Sequence, residues 1–143
     1  MPSSHGSESG FWNLIEAIVE QAPDAMIYAD GEGVIRIWNR AAETLFGFGA
    51  VEVLGGSLDR IIPERFLRAH WDGFRQALET GQTKYTGRTL TTRSVHKNGG
   101  KLYVDLSFSL VRDHAGFVIG ALAIARDRTE RHMPGGADPT MTQ

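Results

Sequence analysis

No cysteine occurs among the 143 residues, which removes disulfides, thiolate catalysis, zinc-thiolate sites and iron–sulfur clusters in one step. It also removes any photochemistry that attaches a flavin to a cysteinyl sulfur. A surplus of one charge is missing as well: 15 Lys and Arg stand against 17 Asp and Glu, for a formal net charge of −2, with both signs mixed along the chain. There is no basic stripe for nucleic acid and no polybasic segment for an anionic membrane, so neither is expected as a partner. Long hydrophobic runs are absent too. The longest, Phe117 to Ala125, is far too short to span a bilayer, and "MPSSHGSESG" at the N-terminus lacks the basic-then-apolar order of a signal peptide. These absences point to a soluble, cytoplasmic protein. The length suits one domain that buries roughly two-thirds of its unfolded surface around a single core.

What is present has a clear order. Residues 1–10 are rich in Ser and Gly, and 132–143 contain "MPGGADPTMTQ", so both ends read as loose tails. Phe11, Leu14, Ile15, Ile18, Val19 and Ala22 recur at helical spacing up to Pro23, predicting an amphipathic flanking helix over 11–22. Two β-rich segments follow, Ala25–Ala29 and Val34–Trp38, joined by "DGEG", whose Asp-Gly pair signals a hairpin. Short glycine-punctuated helices come next, and Pro63 opens a longer helix that ends at Thr80-Gly81. Three strands close the chain: Tyr85–His96, Lys101–Leu110 with clean two-residue alternation, and Phe117–Ala125, apolar enough for a central strand covered on both faces. Helix, two strands, helices, then three strands is the order of an α+β fold with one antiparallel sheet and its helices on one face.

The words in that order carry a resemblance. "QAPDAMIYADGEGVIRIWNRAAETLFGFGAVEVLGG" resembles the opening of a PAS domain: Asn39, Leu45-Phe46-Gly47-Phe48 and Glu52-Val53-Leu54-Gly55 match, with Phe48 in place of the usual Tyr. "HKNGGKLYVDLSFSLVRD" and "ARDRTERH" resemble the later motifs of the same family. The likeness covers roughly Ile18 to Arg131 and implies a PAS domain over 23–131. The implied fold is a five-stranded antiparallel sheet curved around a pocket, closed by short helices and one longer helix. The role it implies is sensing or docking in signal transduction. Gly47, Gly55 and Asn39 serve as turn and cap residues in this reading; they identify a fold and not a ligand.

One residue asks for more. On the helix over 63–80, Phe66, Leu67, His70, Trp71, Phe74, Ala77 and Leu78 share one arc, with charged residues opposite. His70 therefore faces the interior, where an unpartnered imidazole costs on the order of 1–3 kcal/mol. A haem iron would supply its partner. The resemblance implies the same ligand: oxygen-sensing PAS domains carry their proximal histidine on this helix, and the spacing from His70 to Gly99, 99 − 70 = 29 positions, is similar to theirs. By the same alignment the distal arginine of those sensors falls on Leu90, Arg88 takes a position that is apolar or an axial methionine in them, and Leu106 and Phe108 fall over the distal haem face. Trp38, Phe46 and Phe74 are further candidate wall residues. The alternative is a structural histidine bonded to a backbone carbonyl. His5, His96, His114 and His132 read as solvated.

No nucleophile, base and oxyanion site converge in the sequence, so no enzyme is expected. Asp30, Glu32, Asp59, Glu64 and Asp105 read as turn and surface carboxylates, and "GFGAVEVLGG" lacks the Lys-Ser/Thr of a phosphate loop. Two functions remain. One is a small-molecule or gas sensor, with haem b on His70 as the cofactor or another planar or apolar ligand in its place. The other is a cofactor-free module for dimerisation or partner docking. In both, the helix over 11–22 covers either its own sheet or a second protomer, giving a homodimer through helix and sheet. A helix beginning at Asp127-Arg128-Thr129-Glu130 meets Met133-Pro134-Gly135-Gly136 almost at once. Output is therefore expected to pass to a separate effector such as a kinase or regulator, or to chain outside this sequence.

Overall fold

The computed structural model describes residues 4–83 and 88–129. Helix α1 (Ser4–Gln21) leads into strands β1 (Ala25–Asp30) and β2 (Ile35–Trp38), then helices α2 (Arg40–Phe46) and α3 (Ala50–Val53). Two 3-10 turns (Leu58–Ile61 and Glu64–Phe66) precede helix α4 (Leu67–Thr80), and β3 (Thr89–Val95), β4 (Lys101–Arg112) and β5 (Val118–Asp127) follow. The strands form one antiparallel sheet in the order β2-β1-β5-β4-β3, so the last strand lies at the centre. This is the expected α+β architecture.

Each junction has a local cause. Asp30 turns β1 into β2: its Oδ1 accepts from the amides of Glu32 and Val34, and its Oδ2 accepts from Arg36 Nε at 2.9 Å. The Arg36 hydrogen bond, with those amides, holds its carboxyl below the usual range. Asn39 ends β2 and caps α2 by accepting from the Ala42 amide. Gly47 closes α2 at φ 85°, a left-handed conformation that glycine adopts freely, and a β-carbon there would also collide with the His96 ring. The β3–β4 turn is thereby seated on α2 and α3: the Lys97 amide donates to the Phe46 carbonyl and Lys97 Nζ pairs with Glu52. His96, expected to be solvated, is instead half-buried in that seat.

Two-residue alternation sorts the sheet into faces. Register pairs Ile27 with Ala123, Ala25 with Ala125, Leu106 with Ala125 and Phe108 with Ala123, placing these side chains on the inner face. Ala25, Ile27, Leu102, Val104 and Ala125 pack there against Ile35, Trp38, Ala42, Phe46, Val53 and Ile61, and this cluster is the core.

Three expectations need correction. Helix α1 begins at Ser4, seven residues before Phe11, because no proline lies between Ser3 and Ala22 to stop it. Strand β5 is central but its outer face is only partly covered among the described residues: Gly120 is buried, Val118 and Leu122 are half-buried, and Ile124 is 36% exposed. The helix opened by Pro63 begins with a 3-10 turn and becomes α-helical at Leu67. Tyr85, the expected start of β3, lies outside the described residues, as does everything beyond Thr129.

Candidate functional site

Helix α4 presents Leu67, His70, Trp71, Phe74, Ala77 and Leu78 toward the protein, all half-buried, while Arg68, Asp72, Arg75, Gln76 and Glu79 are exposed. The periodicity thus placed His70 on the inner arc. Its imidazole meets Trp71 edge to face with centroids 4.6 Å apart and lies stacked on Phe74 at 6.3 Å. Burial pushes its pKa down to about 4 against a weaker upward pull from the charge of Asp59, so it is neutral at pH 7. Its Nδ1 is buried without a hydrogen-bond partner. The residues one helical turn away, Phe66, Leu67, Gly73 and Phe74, carry no acceptor side chain that could serve it. A neutral, aromatic-flanked imidazole with an unmet polar atom is ready to accept a ligand or to ligate a metal.

The sheet contributes the other wall. Leu90 is opposite Leu106 in register, and Phe108 is opposite Ala123, so Leu90, Leu106 and Phe108 share the inner face. All three are half-buried, as are Leu110, Ala121 and Ala123. The core cluster fills one end of this face, with Leu106 and Ala123 packed against it, and the side chains toward the other end are only half-buried. Arg88, immediately before β3, is exposed. Trp38 is 4% exposed, packs on Phe46 at 5.4 Å and donates its indole N–H to the Phe48 carbonyl at 2.9 Å. Trp38 and Phe46 belong to the filled core, with no ring contact to His70 found, whereas Phe74 touches His70 directly.

Sequence reasoning missed two partners of this group. Trp71 donates its indole N–H to Asp59 Oδ1 at 2.6 Å, and its six-membered ring lies against Gly33 in the β1–β2 turn. Asp59 read as a plain carboxylate because its partner stands 12 residues away and only the 3-10 turn brings the two together. A recess of about 400 Å³ lined by Pro63, Glu64, Arg65 and Arg93 opens beside the start of α4. A cleft of about 870 Å³ lies between the end of α1, α2 and the end of β5, with Arg40, Leu45, His96 and Asp127 on its walls. His70 lines neither; its own surroundings are the α4 rings.

The donor set tests a metal or cofactor. Among the described residues no three His, Asp or Glu side chains converge, so a bare metal ion finds no cage. Haem brings four equatorial nitrogens and asks for one neutral imidazole, which His70 offers, beside apolar side chains. The residues present fit that group. Among the described residues, no helix is long and apolar enough to cross a membrane.

Comparison with known proteins agrees with the fold. A family model described as PAS fold matches residues 13–128. The chain is 40% identical over 50 residues to sensor protein FixL of Bradyrhizobium diazoefficiens, a match covering 35% of this chain and 10% of that protein. It is 30% identical over 93 residues to oxygen sensor protein DosP of Escherichia coli, covering 65% of this chain and 11% of that one. The chain thus spans only about a tenth of the length of these relatives. Among solved structures, the PAS domain of a protein from Colwellia psychrerythraea superimposes with a TM-score of 0.72 at 22% identity, covering 85% of this chain and 99% of that one.

Proposed function

The chain belongs to the PAS fold family, and from that membership we propose that it is a sensor domain whose ligand is held between α4 and the half-buried inner face of the sheet, with His70 as the contact that defines it. The observation that carries this reading is the buried, unpartnered Nδ1 of a neutral His70 in an aromatic group. Leaving such an atom unmet costs on the order of 1–3 kcal/mol, and a ligand removes that cost. Haem b is the ligand proposed. His70 would hold its iron, Phe74 would flank the ring, and Leu90, Leu106 and Phe108 would supply apolar contact from the sheet. Bound iron would supply affinity for a diatomic gas. The side chains' own part is to keep the imidazole neutral and exclude water. Arg88, exposed at the strand start, would face solvent with its guanidinium and lend its stem to the wall.

The test is an absorption spectrum of the purified protein, then with hemin and with dithionite. A sharp, stoichiometric Soret band that shifts on reduction, and that His70→Ala abolishes, is the expected result. Broad non-stoichiometric absorbance, or a band that His70→Ala leaves unshifted, removes haem or His70 respectively.

A second reading rests on a separate observation. Phe11, Trp12, Leu14 and Ile18 on α1 are each more than half exposed, and α1 touches α2 rather than covering its own sheet. Ile124 and Leu122 on the outer sheet face add apolar surface. Such a stripe supports homodimerisation through α1 and the sheet, and through it a cofactor-free docking role toward an effector such as a kinase or regulator.

A further inference from the structure

No side chain of α4 is fully buried, so packing alone holds the helix weakly against rotation about its own axis. Among the described residues, two fastenings stand out. At its end, the Gly81 carbonyl accepts from Arg112 Nη2 at 2.7 Å, while Nη1 of the same guanidinium donates to the Gly116 carbonyl at 3.0 Å. That clasp acts on the helix terminus, close to its axis, and restrains position more than rotation. The other fastening is radial. Trp71 projects from the side of α4 and is caught between two elements: its indole N–H on Asp59 Oδ1, and its ring against Gly33, where a β-carbon would lie 2.8 Å from Trp71 Cζ3. Asp59 is itself set by its 3-10 turn, its amide donating to Ser57 Oγ at 3.1 Å.

His70 immediately precedes Trp71 on the helix, and its ring stands against Trp71, which also contacts Phe74 at 5.3 Å. We propose that Trp71, tethered by Asp59 and seated on Gly33, is a positioning residue that sets the rotation of α4 and thereby aims His70 at the ligand. This rests on reading His70 as the ligand contact. It makes the β1–β2 turn and the first 3-10 turn, neither of which need touch the ligand, part of what the site requires.

The tether separates experimentally from general packing. Trp71→Phe keeps an aromatic ring and loses the N–H; Asp59→Ala removes the acceptor and leaves every ring in place; Asp59→Asn removes the charge and keeps an oxygen that can accept the indole N–H. The first readout is the rate at which diethyl pyrocarbonate modifies His70 in the ligand-free protein, followed by peptide mass spectrometry with exposed His114 as internal reference. Trp71→Phe and Asp59→Ala are expected to raise the His70 rate about tenfold, as a local opening of α4 would, and Asp59→Asn to stay near wild type. The second is the hemin spectrum, in which the first two variants should lose the axial-histidine signature and Asp59→Asn should retain it. Should Trp71→Phe fail to fold, Asp59→Ala carries the same comparison. Wild-type protection of His70 in Trp71→Phe or Asp59→Ala overturns the proposal, as does an Asp59→Asn that loosens His70 as much as Asp59→Ala. A wild-type protein that takes up no hemin overturns the ligand reading instead, and the modification rates still decide the role of Trp71.

Discussion

Burial holds His70 neutral down to about pH 4, against 6.5 for the free side chain, and that difference is a stability term. Between those values the unfolded chain binds a proton that the folded one refuses, so stability is complete above about pH 6.5 and falls as the pH drops toward 4. The loss reaches about 3 kcal/mol at most. Urea denaturation of ligand-free protein at pH 7.5 and 5 should show this slope, and His70→Leu should flatten it; a slope that survives the substitution would assign it to other groups. That His70 faces inward was legible in the sequence, because helical spacing alone puts it on the arc of Leu67, Trp71 and Phe74. Its unmet Nδ1 was not, since partner or no partner is settled by what folds over it. The Asp59–Trp71 bond was hidden for the same reason: two residues 12 positions apart meet only because a 3-10 turn lies between them.

Among elements, Asn39 is the joint. Its Oδ1 accepts from the amides of Met26 and Ala42, and its Nδ2 donates to the carbonyls of Val19 at 2.8 Å and Asp24 at 3.1 Å. One buried side chain therefore ties α1, the entry to β1, β1 itself and α2. Replacing it with alanine removes a helix cap and orphans buried groups, for an expected loss of about 2–4 kcal/mol in urea denaturation. Asn39→Asp is more selective. It keeps the acceptor for Met26 and Ala42 but turns an oxygen toward the Val19 and Asp24 carbonyls. Hydrogen exchange should then speed up in the last turn of α1 while the sheet amides hold their protection; equal change in both would mean a general loss of stability instead. The sequence marked Asn39 as a cap because it separates a strand pattern from a helix pattern. Its reach back to α1 depends on where the chain had already gone.

For the whole molecule, the exposed face of α1 is the consequential feature. Phe11, Trp12, Leu14 and Ile18 recur on a helix held to the domain near its C-terminal end, and an apolar stripe of that kind favours a second surface. Light scattering on the eluting protein should report a dimer, and the double substitution Trp12→Glu with Ile18→Lys should weaken it by about tenfold or more while leaving unchanged the denaturation midpoint measured at dilutions where the protein is monomeric, since neither side chain is in the core. A monomeric wild-type protein would remove this assembly. The sequence alone determined the fold class and the order of its elements, because period-two and period-3.6 patterns and turn residues act locally and each agrees with the whole. It also determined that no thiol chemistry is possible and that His70 turns inward. Only the tertiary structure decided that Trp38 and Phe46 fill the core while Phe74 flanks His70, that the outer face of β5 is only partly covered, that α1 leaves its stripe exposed, and that Asp59 and Gly33 hold Trp71. Those are contacts between segments distant in the chain, and no local pattern encodes which of several apolar or polar surfaces will meet.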